Sequence, residues 1–535
     1  GANNTAVGLC AMRTSTTGAD NTAMGMCSLF ANTTGSQNVA IGQFSLDANT
    51  TASNNVAVGY CSLTTNTTGT PNTAVGQGSL RQNTTGANNV ALGFEALKVN
   101  TTGSNNAAVG KTALFANTTG SFNVALGTNA LAGNTTAEEN TAVGYAALQD
   151  NTTAANNTAM GSETMKATTT GASNSAFGKG GLRFNTTGAE NTAIGANSLD
   201  ANTTGAENAA VGNDALGANT TGGSNTAVGV KALFTATTAG NNTAVGTQAM
   251  RLTTTGANNV AVGVCALNAN TTGTYAVAIG ANALKTQTTP YGNVAIGVES
   301  GQNTTTGAQN VFVGTEAGKK NTTGANNVSL GTIALGCNTT GTTNVALGYF
   351  AGRVVNDGDG NVIVGALAAC TLTTGCYNTY VGSETSPSAV GILFESVVGR
   401  SGTGKGSGTF FSASSANGVF NTANATAWSQ TSDRRIKKNI INNNTGLDKI
   451  NQIQVRDFEY RTKAEVTDFE NVDAAYVDKS GVQIGVIAQE IEAIFPEMVT
   501  TQSTGVKTFN PEKLTFYLIN AIKELKKEID LLKNK

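Results

Sequence analysis

Residues 38–54 read Asn38-Val39-Ala40-Ile41-Gly42-Gln43-Phe44-Ser45-Leu46-Asp47-Ala48-Asn49-Thr50-Thr51-Ala52-Ser53-Asn54. The pattern, N-[TV]-A-h-G-x-x-[AS]-L-x-x-N-T-T-G-x-x with h apolar, begins again at Asn55 and has already run from Asn4 and Asn21. Numbering this unit 1 to 17, the glycine of position 5 returns every 17 residues from Gly8 to Gly399, 24 times, without insertion or deletion. Asparagine holds position 1 in every copy but two, where Ala276 and Glu395 stand. A fixed period is the strongest fold signal a sequence offers. Seventeen residues are too few for a helical hairpin, and Thr, Asn, Gly and Val favour strands and tight turns. The unit therefore predicts one coil of a parallel β-solenoid, with one short strand around A-h-G and a second around [AS]-L.

Coils stack about 4.8 Å apart, so equivalent side chains form columns. Columns of Asn and Thr can hydrogen-bond up the stack. The apolar residue of position 4 and the leucine of position 9 are expected to point inward. Ala of position 3 and the position-5 glycine are expected to form a small, smooth face. That glycine serves either a positive φ or the close approach of a neighbouring chain. The glycine of position 15 is replaced by Ala52, Ala137, Ala154, Ala239 and Pro290, so that turn does not demand a left-handed residue. Twenty-three intervals make a rod of about 110 Å. A single thin coil buries little apolar surface, which points to oligomerisation.

The repeated NVAIG and NTAVG segments resemble the head repeats of trimeric autotransporter adhesins of the YadA type, although the unit here is longer. The resemblance implies three rolls packed about one axis.

Charge divides the chain. Residues 432–535 hold 16 of the 31 Lys and Arg and 16 of the 33 Asp and Glu, and the net charge is −2. Nothing in this balance marks a nucleic-acid-binding protein. The chain has no histidine, which removes the commonest general base and metal ligand. Seven scattered cysteines show no CxxC or zinc spacing and read as free thiols. No metal or cofactor is expected. No apolar run reaches the ~20 residues that span a bilayer, so no membrane insertion is expected. The chain starts at Gly1 inside a repeat, and a preceding segment is expected to carry the attachment to other parts of a particle.

Three further motifs read as structure. N-T-T matches the glycosylation sequon but suits turn and ladder chemistry. Asp357-Gly358-Asp359-Gly360-Asn361 resembles the start of a calcium loop yet lacks the later ligands, Val362 and Ala368 standing in the required places. Cys10 and Cys27 share a column one coil apart and are expected to remain thiols.

Residues 1–400 are thus assigned to the solenoid, 401–431 to a Gly/Ser-rich neck with short strands, and 432–535 to a charged α+β domain. In that domain VRDFEYR (455–461) reads as a strand, and GVIAQEIEAIFPEMV (485–499) as a strand end and an amphipathic helix stopped near Pro496. In the last helix Leu518, Ile522, Leu525, Ile529 and Leu532 follow heptad spacing, a seam that wants partner helices. SDRRIKKNI (432–440), GVIAQEIEAIFPEMV and the final KELKKEI helix resemble, in order, the intramolecular chaperone of endosialidase-type phage tail spikes and fibres. The resemblance implies a homotrimer that registers a β-helical shaft and then cuts itself off between Thr431 and Ser432. It implies Ser432 as nucleophile and Lys437 as its general base. The chemistry is coherent: without histidine a serine needs another base, and a lysine partly desolvated, or set among Arg434, Arg435 and Lys438, would have its pKa lowered, so that its neutral amine could take the serine proton.

These readings converge on a homotrimeric viral fibre or spike shaft, located in the virion. It would bind a host-surface receptor, a glycan or a surface protein, and make one self-cleavage per chain rather than turn over a substrate. A bacterial trimeric surface adhesin carrying the same chaperone is the first alternative. A glycan depolymerase is the second, which the uniform repeat argues against.

Overall fold

The computed structural model describes residues 1–414, 417–422, 434, 437–467, 477, 479–502 and 505–534. The chain divides into two compact units, Gly1–Gln430 and Thr431–Lys535.

The first unit is the solenoid. Each coil contributes one strand, three to five residues long, from β1 (Thr5–Val7) to β24 (Ser396–Arg400). Each pairs in parallel with the strand 17 residues on through β23 (Thr379–Val381), as in Val39↔Val56, Ala40↔Ala57 and Ile41↔Val58. The sheet then continues through β25 (Phe410–Ser414), parallel to β24, and closes with antiparallel β26 (Asn417–Asn421).

The expected second strand is absent. Positions 6 to 11 form turns in which the residues of positions 7 and 9 take left-handed conformations, as at Phe44 (φ 60°) and Leu46 (φ 51°). A non-glycine residue there costs roughly 1–2 kcal/mol. Each is held by a bond to an adjacent coil: Phe44 N–H donates to Met26 O at 3.1 Å and Leu46 N–H to Ser62 O at 3.1 Å. Leu46 is also fully buried. Successive bends of opposite hand let the chain return within 17 residues while its amides still point along the stack.

Inward and outward columns also differ from expectation. From Ala23 to Val397 the residues of position 3 are buried, whereas none of the 24 position-4 residues is; Ile41 is 37% exposed and Met24 44%. The coil interior is filled by Leu at 9 and by Asn at 1 and 12, which leaves space for a methyl group at position 3. Where position 9 shrinks, position 3 grows. Phe312 is fully buried beside Gly301 and Gly318, and a Cβ on Gly318 would lie 2.4 Å from its ring. Ile363 fills the space over Gly352 in the same way.

The position-5 glycine takes a positive φ, and the backbone that approaches it closely is the next coil of the same chain. Its φ runs from 119° at Gly399 to 142° at Gly161. A Cβ on Gly42 would lie 2.5 Å from Gly59 O of the next coil. The position-15 glycines show no positive φ.

From Asn21 on, the asparagines of positions 1 and 12 are buried and form two ladders. Asn38 Nδ2 donates to Asn21 Oδ1 at 3.1 Å and to Ala52 O at 3.0 Å, the second bond tying the coil's start to its end. Asn49 Nδ2 donates to Asn32 Oδ1 at 2.9 Å and to Ala52 O at 2.9 Å. The position-13 threonines bond upward as well, Thr33 Oγ1 donating to Thr50 O at 3.0 Å. Satisfied buried amides cost nothing further, but removing one partner strands the other at about 1–3 kcal/mol. The position-1 ladder ends on Glu395, whose buried carboxylate accepts from Tyr380 Oη at 2.8 Å, Ser388 N at 3.1 Å and Gly406 N at 2.9 Å. Burial first, and then Glu395, pushes the Tyr380 hydroxyl far above its ordinary value.

The second unit contains α1 (Leu447–Ile450), β27 (Arg456–Phe458), β28 (Gln483–Gly485), α2 (Ala488–Ile494), β29 (Val499–Thr501), β30 (Lys507–Phe509) and α3 (Leu514–Lys533). β27 pairs antiparallel with β28, and β29 with β30. Ile491, Phe495 and Met498 are its core, packed by Ile450, Val486, Phe509, Leu514 and Tyr517. Pro496 ends α2, as its missing N–H requires.

Candidate self-cleavage segment and its anchorage

Thr431 and Ser432 lie outside the described residues, so of the predicted catalytic pair the structure places Lys437. Lys437 is exposed, and its N–H donates to Arg434 O at 3.2 Å. The chain then runs without regular structure to Gly446, with Ile440 and Ile441 exposed.

The end of this segment is fastened to α3. Asn520 Nδ2 donates to Asn443 O at 2.8 Å and to Thr445 O at 3.0 Å. Glu524 Oε2 accepts from Leu447 N at 2.6 Å, meeting a free N–H at the start of α1. Between them Gly446 lies against the helix backbone: a Cβ there would come within 2.5 Å of Ala521 N. Ala521 is the one buried residue of α3. The chain leaving the predicted cleavage segment is thus held against the last helix by a glycine, an alanine and two polar side chains. Sequence reasoning missed all four. The only local signal was the pair Asn520-Ala521, small and polar within an otherwise long-chained helix.

Two further contacts brace this unit. Lys449 Nζ donates to Ile494 O at 3.0 Å and sits 5.1 Å over the Phe495 ring. Tyr517 Oη donates to Glu497 Oε1 at 2.8 Å. The backbone N–H of Glu497 and then the Tyr517 hydroxyl hold the Glu497 carboxyl below its usual range, and the same bond raises Tyr517.

The predicted seam is solvent-facing within one chain: Leu518, Ile522, Leu525, Ile529 and Leu532 are all exposed, Leu532 by 70%. The unit carries a second open apolar surface at Val482 and Ile484.

The remaining motifs resolve as structure. The sequon asparagines of position 12, such as Asn49, Asn66 and Asn83, are buried with their amides bonded. Asp359 Oδ1 accepts from Thr342 N at 2.6 Å and from its Oγ1 at 2.8 Å, as a turn carboxylate does. Cys10 and Cys27 are free thiols. Among the described residues no group of three or more His, Cys, Asp or Glu is placed to hold a metal, and no helix is long and apolar enough to cross a membrane.

None of the curated proteins compared with the chain matches it. Residues 432–500, from the basic segment into β29, match the family model of the chaperone of endosialidase, and the C-terminal unit of this solenoid protein is similar to that chaperone.

Proposed function

We propose that the chain is the shaft of a homotrimeric viral tail fibre or spike that attaches to a host surface, and that its C-terminal unit is a trimerisation chaperone removed by self-cleavage. The observation that carries this reading is the position-4 column. It presents 24 apolar side chains in register along one side of the rod, none of them buried. Contiguous exposed apolar surface on that scale marks an interface. Homotypic packing of three rods would cover it, and the exposed seam of α3 calls for the same partners. Short identical coils could also pair one coil out of register, and a chaperone that first joins the C-terminal ends would remove that freedom.

In the proposed cleavage Ser432 Oγ attacks the Thr431 carbonyl carbon while the neutral Lys437 amine accepts the hydroxyl proton. The peptide C–N bond breaks, the Ser432 amine leaves with a proton, and water hydrolyses the resulting ester. Each chain does this once. Intact-mass analysis of the expressed chain tests it. Two fragments divided at Thr431–Ser432 are expected from the parent, and one uncut chain from Ser432→Ala. Lys437→Arg should also stay uncut, because a guanidinium remains protonated. An uncut parent that forms folded trimers would refute the cleavage and leave the shaft reading in place.

A further inference from the structure

The turn at positions 13 to 17 forms a ridge along the rod. Over most of its length position 17 is amide or acidic, with Glu190 and Glu207 in successive coils. Exposed aromatic pairs interrupt this ridge twice, at Tyr377 with Phe394, which follow Asp357 and Asp359, and at Tyr275 with Tyr291, which stand in an uncharged stretch. Tyr275 stands at position 17 and Tyr291 at position 16 of the next coil, and they are 55% and 56% exposed. Their ring centroids are 5.3 Å apart and the planes are inclined at 59°, so the two exposed rings form a V. Gly292 N–H donates to Thr274 O at 3.1 Å, which fixes the stagger between the two rings. At Gly292 (φ 71°) nothing lies within 4 Å of where a Cβ would stand, which leaves the space beside Tyr291 open.

The surroundings are uncharged. Asn258 and Gln309 flank the pair along the position-17 column, both exposed. Thr272 and Thr289 run beside it at position 14, exposed and with hydroxyls free of any partner in the chain. From Asn241 to Asn326 positions 14, 16 and 17 hold no charged residue. An open aromatic V, hydroxyls and amides without charges form the surface that suits a sugar. Ring faces stack on the C–H faces of a pyranose, and amides and hydroxyls meet its hydroxyl groups. The coil rise of about 4.8 Å is comparable to one sugar residue, so a chain lying along the ridge meets equivalent groups at each step.

We propose that this surface, centred on the exposed pair Tyr275 and Tyr291, binds a neutral polysaccharide of the host surface, its chain running along the rod. The proposal rests on the attachment reading above and names the ligand class. With no Lys or Arg at these positions, nothing here pairs with the charges of an acidic glycan.

Affinity electrophoresis of the full chain through gels containing dextran, laminarin or mannan, with hyaluronan as the acidic comparison, tests it. Retardation by a neutral glycan and none by hyaluronan is expected. Tyr275→Ala/Tyr291→Ala should weaken binding roughly tenfold, and the double Phe variant should keep most of it. Unchanged thermal melting of the exposed pair's variants shows that the rod is intact. Retardation by hyaluronan alone, none by any neutral glycan, or equal retardation of the Ala variant overturns the proposal. Cosedimentation with a panel of bacterial cells separates the two readings. Cells bound equally by parent and Ala variant remove the tyrosine site but keep attachment, whereas cells bound by neither remove attachment itself.

Discussion

Gln287 Oε1 accepts a hydrogen bond from Asn293 Nδ2 at 2.9 Å, and this bond repairs the one internal gap in the position-1 ladder. In most coils the position-1 asparagine amide finds an acceptor one coil back, as Asn310 Nδ2 does on Asn293 Oδ1 at 3.2 Å. For Asn293 that place is taken by Ala276, which offers no oxygen. The same coil has glutamine instead of asparagine at position 12, and its extra methylene carries the amide oxygen across. Gln287→Asn is expected to destabilise this coil by about 1 kcal/mol. Ala276→Asn alone is expected to crowd Gln287. The double variant, which restores the consensus, should recover most of the loss, with a coupling of about 1 kcal/mol. Hydrogen exchange of the 285–300 peptide reads the local opening that each variant allows.

The Phe312 ring stands in for two missing leucines. Phe312→Ala should open a cavity against Gly301 and Gly318 and cost about 3–5 kcal/mol. Both glycines already hold the left-handed conformation of the position-9 leucines, at φ 57° and 59°. Phe312→Ala with Gly301→Leu and Gly318→Leu is therefore expected to restore stability, whereas Gly318→Leu alone should disrupt the coil. Exchange protection of residues 298–320 distinguishes these outcomes.

The two glycines of the unit are expected to respond differently to a methyl group. Gly195→Ala must place a Cβ at φ 129° and 2.6 Å from Gly212 O, and should cost more than about 2 kcal/mol. A Cβ on Gly188 would lie 2.3 Å from Gly205 O, but Gly188 has no positive φ and Ala52, Ala137, Ala154 and Ala239 show that this register can shift to admit a methyl group, so Gly188→Ala should cost less than Gly195→Ala. Local exchange in the coils on either side of each substitution measures the contrast.

The Glu497–Tyr517 bond gives the C-terminal unit a pH dependence. The folded carboxyl lies below its ordinary range, so its contribution is present above that range and is lost as pH falls through the lowered value. The Tyr517 hydroxyl is raised, so its contribution is present below the ordinary tyrosine range and lost as pH climbs through the raised value. Both groups are close to solvent, which limits the bond to about 0.5–1 kcal/mol at neutral pH. Tyr517→Phe should show that deficit in exchange of residues 488–520 near neutrality, and the deficit should vanish in acid.

The period made the solenoid legible, and the asparagine columns made its ladders legible. The direction of side chains was not. A three-residue strand offers no alternation to count, and hydrophobicity alone sends Ile41 inward rather than Ala40. What reverses them is cross-section, set by Leu46, Asn38 and Asn49 together. The second strand failed for a related reason, since nothing in Ser45-Leu46 announces a leucine at positive φ. The reciprocal changes at Phe312, Gly301 and Gly318 do record that cross-section. In the C-terminal unit the strand and helix segments were readable from pattern, and Ser432 and Lys437 from resemblance alone. Asn520 and Glu524 were not, because their partners are main-chain groups 75 to 77 residues away in sequence.

An apolar column open along the whole rod and an open heptad seam both require the same partners. Sedimentation equilibrium of the Ser432→Ala chain, which keeps both surfaces on one polypeptide, tests this most directly. The account predicts a single species of three times 53.9 kDa that persists on dilution. A species of 53.9 kDa with a cooperatively folded rod would contradict it.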